Sequence, residues 1–167
     1  MPFIVIWPGH VEAGRIDTRS VVSGVDFLPT ISKLCRIDID EDWKLDGEDI
    51  SDILLGTSRE REKALMWRNA ISESHFPYTQ YHKSPMLSIR KGPWKLLVNP
   101  DSTDVELYYI PDDPAEFNNL AMQKPDIVRP MMHELMDWHG SLPYYDRVDN
   151  WSYGRYRWKW PEGEEDK

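Results

Sequence analysis

Cysteine is almost absent. The single Cys35 excludes an intrachain disulfide and a cysteine-rich zinc site, and burial as a small apolar side chain is the expectation for it. No apolar run approaches the ~18 residues that cross a bilayer. The opening residues 1–10 lack the basic flank and small-residue cleavage site of a secretory signal. Positive charge is also scarce: 20 Lys and Arg stand against 29 Asp and Glu, and a formal charge of −9 disfavours nonspecific nucleic-acid binding, which needs phosphates to be neutralised. Aromatic and apolar residues are plentiful by contrast. Eight tryptophans and 40% apolar residues supply a core, which argues against disorder as the overall state. At 167 residues the chain suits one ordinary domain, or a small domain with part of another.

Residues 2–7, Pro2-Phe3-Ile4-Val5-Ile6-Trp7, form a continuous apolar run stopped by Pro8-Gly9, the pattern of a strand buried on both faces. Such a strand needs neighbours, which predicts covering material upstream. Val21, Val22, Val25, Leu28, Ile31 and Leu34 suit one face of a helix over residues 20–34. A second reading starts the helix at Asp26 as N-cap, with Pro29 in the first turn. Residues 38–42 and Leu45-Asp46-Gly47 read as loop and turn, and residues 50–55 as a short helical turn ending at Gly56.

The polar residues 57–63 mark a boundary, after which the pattern becomes strand-like. Short apolar-containing runs at 64–67, 86–90, 94–98 and 106–109 are separated by Lys91-Gly92-Pro93 and Asn99-Pro100-Asp101-Ser102. They predict an antiparallel meander. Pro125 opens a helix over residues 126–139, with Ile127, Met131, Leu135 and Trp138 facing the sheet and Gly140 as its stop. From Leu142 the chain turns aromatic and basic.

Several of these segments, in this order, resemble the C-terminal region of the sulfatase family. Pro2-Phe3-Ile4-Val5-Ile6-Trp7-Pro8-Gly9 resembles the family's strand and turn after the active-site region, and Asp26-Phe27-Leu28-Pro29-Thr30 its helix signature. Leu45-Asp46-Gly47-Glu48-Asp49-Ile50 is similar to the aspartate-glycine segment that follows. Ser88-Ile89-Arg90-Lys91-Gly92-Pro93-Trp94-Lys95-Leu96 is similar to the hairpin of the small C-terminal sheet. Glu106-Leu107-Tyr108 and Asp113-Pro114-Ala115-Glu116-Phe117-Asn118-Asn119-Leu120 resemble the last strand and the turn to the final helix. The resemblance covers roughly residues 2–142. Read without it, Asp46, Asp113, Glu116 and Lys95 are architectural charges in turns or on a sheet face.

The resemblance implies a parent that cleaves sulfate esters with a formylglycine, made from Cys or Ser in Cys/Ser-x-Pro/Ala-x-Arg, and a divalent cation such as Ca²⁺. Cys35 is followed by Ile37 and Asp38 where proline or alanine and arginine are required, and no serine fits. No catalytic, cofactor-binding or metal-ligating residue is therefore assigned in this chain. His133 and His139, six apart, face different ways on a helix, and neither residues 38–42 nor Asp112-Asp113 have the spacing of an EF-hand. Trp67, Arg68, His75, Tyr81 and His82 are the candidates for a substrate rim contacting an anionic sugar or aryl sulfate.

The expected class is α/β (α+β). Residues 1–56 are read as the end of a sulfatase catalytic domain of alkaline-phosphatase-like fold, and residues 57–142 as a small antiparallel four-stranded sheet packed with a C-terminal helix. Residues 143–167 are read as a tail, packed or extended. The function expected is that of a C-terminal sulfatase fragment, inactive alone, whose partner is the catalytic domain and whose parent acts on sulfated carbohydrate or aryl sulfate. Oligomerisation through the face left open is expected, with no nucleic acid and no membrane span. The alternatives are a noncatalytic carbohydrate-binding or protein-interaction module and a fragment of a related phosphoesterase.

Overall fold

Turn chemistry and alternating apolar residues build the centre of the second half. The computed structural model describes residues 3–69 and 84–142, in two compact units, Met1–Leu65 and Met66–Lys167. Strands β1 (Leu65–Arg68), β2 (Leu87–Lys91), β3 (Trp94–Val98) and β4 (Glu106–Tyr109) form one sheet in sequential order. Gly92, at φ 55°, makes the tight turn that returns β2 into β3.

The register pairs Leu87 with Val98 and Ile89 with Leu96, and Leu96 in turn with Leu107, so these buried side chains share one face. Helix α3 (Pro125–Ser141) covers that face with Val128, Met131, Met132 and Leu135, spaced as one helical stripe. Lys91, at the end of β2 on the same face, donates to Glu134 of α3 at 2.7 Å. The meander and its covering helix match the sequence expectation, with the stripe rotated so that Val128 and Met132 are buried while Ile127 and Trp138 are only half-buried.

Two loops fasten this unit by side chains that satisfy backbone groups. Asn119 Oδ1 accepts from the N–H of Leu107 at 3.0 Å and of Ala121 at 2.9 Å, and its amide donates to the Val105 carbonyl at 3.1 Å. Asp113 accepts from the N–H groups of Phe117 and Asn118. Across β3, Lys95 donates to both Glu116 oxygens at 2.6 and 2.8 Å. These charges are architectural, as their place in turns suggested.

In the first unit the helix begins late. Residues 20–22 are not helical. A single turn over Gly24–Asp26 leads into α1 (Phe27–Cys35), with Asp26 at the N-cap, and the helix closes on Arg36 in the left-handed region. A five-residue helix α2 (Ser51–Leu55) ends at Gly56, at φ 126°.

Three expectations are corrected. Residues 3–7 form no strand, and Phe3, Ile4, Ile6 and Trp7 are exposed, because among the described residues no strand pairs with their backbone groups. Cys35 is exposed rather than buried, since it lies in the last turn of α1 on its outer side. Gly140 does not stop α3. The helix runs through it to Ser141, and Leu142 takes extended geometry (ψ 146°), as a residue preceding a proline must.

Candidate functional site

The polarity of α1 is inverted. Its inner side carries Thr30, fully buried, and Ser32, while Phe27, Leu28 and Ile31 are 49%, 47% and 52% exposed. The inner side is polar because it faces backbone. Thr30 Oγ1 accepts from the Ile50 N–H at 3.0 Å, and Asp26 Oδ1 accepts from the Glu48 N–H at 3.0 Å. Gly47 lies against the Val25 carbonyl so closely that a Cβ has no room. Outside, Phe3 packs its ring on Phe27 with centroids 5.8 Å apart. The result is an apolar surface of Phe3, Phe27, Leu28 and Ile31 on the helix's free side.

The polar segment after α2, read from the sequence as a boundary, is a strap. Arg61 forms a bidentate pair with Asp26 at 2.6 and 2.7 Å, with the two side chains 4% and 0% exposed. Burial alone drives the Asp26 carboxyl upward. Its bonds from Arg61 and from the N–H groups of Glu48 and Ser23 outweigh this, and the net shift is downward. Arg59 joins Asp52 at 2.7 Å and Glu48 at 2.9 Å, which raises its guanidinium, and Glu48 also accepts from the N–H groups of Glu62 and Lys63. Asp17 binds the N–H groups of Ser20 and Arg19, which pull its carboxyl well down. No local spacing announced these partners, because Arg61 and Asp26 are 35 residues apart.

Of the expected rim residues, Trp67 and Arg68 lie among the described residues. Trp67 and Arg68 are neighbours in β1, so their side chains leave opposite faces of the sheet. The Asn69 N–H donates to the Met86 carbonyl at 2.7 Å, a pairing that sets Arg68 opposite Leu87 on the face covered by α3 and Trp67 on the other. Trp67 is 41% exposed. His75, Tyr81 and His82, like the aromatic-basic tail, lie outside the described residues.

On the α3 side, Arg68 Nε and His139 Nδ1 are shut off from solvent without a hydrogen-bond partner among the described residues. Burial, and then the charge of Arg68, hold the His139 imidazole below its ordinary range.

Among the described residues, no group of three or more His, Cys, Asp and Glu side chains is placed to hold a metal ion. The acidic stretches use their oxygens locally: Asp40 accepts from the Asp42 N–H, and Asp113 closes its own turn. His133 faces Asp137 at 3.0 Å on the exposed side of α3. No described helix is long and apolar enough to cross a membrane.

Comparison with known proteins gives this geometry its context. Residues 1–140 match the family described as N-sulphoglucosamine sulphohydrolase, C-terminal. The chain is 28% identical over 146 residues to an N-acetylgalactosamine-6-O-sulfatase of Bacteroides thetaiotaomicron, a match covering 77% of this chain and 25% of the relative. It is 25% identical over 153 residues to a sulfatase of Formosa agariphila, covering 83% and 26%. The chain thus spans about a quarter of the length of these relatives.

Among solved structures, Ps i-CgsB aligns with TM-score 0.61 at 22% identity, covering 79% of this chain and 27% of that one. BT4656, solved in complex with its substrate D-glucosamine-2-N,6-O-disulfate, aligns with TM-score 0.56 at 20% identity, covering 80% of this chain and 27% of that one. At these identities the structural likeness is one of fold. The ordered sequence segments, the helix-covered meander and the family match agree, and the chain belongs to the sulfatase C-terminal family.

Proposed function

We propose that this chain is the C-terminal module of a sulfuric ester hydrolase acting on sulfated carbohydrate, and that it does not turn over substrate by itself. The observation that carries this reading is the inverted helix α1. An isolated domain gains nothing by placing Thr30 and Ser32 inside and Phe27, Leu28 and Ile31 in water, at ~25 cal/mol per Å² of apolar surface left uncovered. A module that completes a larger body gains that burial on assembly. The matched relatives are about three times as long, and the region they add is the natural cover for this face.

Sulfatases draw their chemistry from a formylglycine and a divalent cation, which supply a nucleophile and stabilise charge on the sulfate oxygens. The residues of this chain do not fit either group: the nucleophile motif is absent from the sequence, and in the two acidic stretches Asp40 and Asp113 accept from backbone N–H groups. The role left to these residues is structural, and the substrate class follows from the relative whose printed activity is on a sulfated amino sugar.

The exposed face gives a direct test. The isolated chain is expected to bind a hydrophobic dye and to sediment as more than a monomer. The triple variant Phe27→Gln, Leu28→Gln, Ile31→Gln should lose both properties while keeping its thermal midpoint. A monomeric wild-type chain without dye binding would contradict the reading.

A further inference from the structure

We propose that Arg68 and His139 form a binding site for an oxyanion, sulfate or phosphate, on the α3-covered face of the sheet at its β1 edge. Three observations converge there. Arg68 Nε and His139 Nδ1 are both shut off from water with no hydrogen-bond partner among the described residues, although buried polar groups in folded proteins are almost always paired. β1 is the edge strand, so the site lies at the margin of the sheet rather than under its centre. The acids of α3 nearest to His139 in sequence are engaged elsewhere, Glu134 with Lys91 at 2.7 Å and Asp137 with His133 at 3.0 Å.

A guanidinium stays charged at any relevant pH, so leaving its buried nitrogen unpaired costs free energy that an anion offsets. Its planar fork suits two oxygens of a tetrahedral anion, and the imidazole supplies a further donor. Burial, and then the charge of Arg68, depress the protonation of His139, and an anion beside the two would relieve the second of these. Arg90, whose Nε is likewise buried without a partner among the described residues, does not belong to the site. It pairs with Lys95 in the register and points to the opposite face from Leu87 and Arg68.

The site stands on these residues alone. That its anion is the sulfate group of a sugar rather than the free ion rests on the sulfatase reading, and the experiment separates the two. The ring signals of His139 are followed by ¹H–¹⁵N NMR at fixed pH, assigned with His139→Gln. The full chain is titrated with sodium sulfate against sodium chloride at matched ionic strength, and with a sulfated disaccharide against its desulfated form. A saturable shift confined to His139 is expected, with affinity lowered about tenfold or more in Arg68→Gln. Arg68→Lys, which keeps the charge and loses the fork, should fall between and covers the case in which Arg68→Gln fails to fold. Response to sulfate alone identifies the free ion, and response to the sulfated but not the desulfated sugar identifies the ester. Both support the site. No response in the folded wild-type chain, or an equal response in a folded Arg68 variant, overturns it.

Discussion

Replacing Arg61 with methionine is expected to destabilise the first unit by about 3–5 kcal/mol at pH 7, the usual cost of leaving one member of a buried pair uncompensated. Asp26 is fully buried and takes two bonds from Arg61, at 2.6 and 2.7 Å, and one each from the Ser23 and Glu48 N–H groups. Methionine retains much of the stem's packing, so the loss reports the charge and its bonds.

The sign of the pH dependence follows from the lowered Asp26 carboxyl. Its folded-state value lies below the unfolded one of ~3.9, so its contribution is present above that value and is lost as pH falls through the folded value. In Arg61→Met the burial that opposes ionisation is no longer offset by the guanidinium, and protonating Asp26 relieves the variant. The gap between wild type and variant should therefore shrink on acidification. Amide exchange at Glu48 and Ile50 reads this unit locally. Unchanged protection there in Arg61→Met at pH 7 would show that the strap does not hold the unit.

Gly47→Ala should be almost as damaging for a different reason. The new methyl group would meet the carbonyl oxygen and carbon of Val25, which are backbone and cannot rotate away. Relief requires the segment around Gly47 to lift from the start of α1. That motion stretches the bonds from Glu48 N–H to Asp26 and from Ile50 N–H to Thr30, and with them the contact of Lys63 Nζ to the Gly47 carbonyl at 2.9 Å. Overpacking at ~1–3 kcal/mol and hydrogen bonds at ~1 kcal/mol each place the loss at about 3 kcal/mol or more. Thermal unfolding and exchange at Ile50 measure it, and a midpoint within a degree or so of wild type would contradict the close approach.

The sheet was legible in the sequence because its determinants are local. Gly92-Pro93 sets the turn, and the short apolar runs on either side of it, Leu87–Lys91 and Trp94–Val98, pair across it. The same holds for α3, whose start at Pro125 and apolar stripe are short-range features. The first unit was harder to read. A run such as Phe3-Ile4-Val5-Ile6-Trp7 encodes a capacity to pair, and pairing requires a partner strand that no local pattern can supply. The apolar spacing of α1 correctly indicated a helix, but spacing alone does not say whether an apolar face turns inward, and Thr30 and Asp26 took the inner side to satisfy backbone of residues 48–50.

Trp67 and Arg68, two of the expected rim residues, are placed on opposite faces of the sheet by strand alternation. Arg59 and Arg61 went unrecognised because their partners are set by tertiary contact. The sequence shows only that His139 faces away from His133, and its buried Nδ1 becomes visible only with α3 seated on the sheet.

Turnover is the most direct test of the central claim. The purified, demonstrably folded chain would be assayed against an aryl sulfate and a panel of sulfated sugars with added Ca²⁺, beside a formylglycine-bearing sulfatase as positive control. No hydrolysis above buffer is expected from this chain, whereas hydrolysis that co-purifies with it would contradict the assignment of the chemistry to another part of the protein.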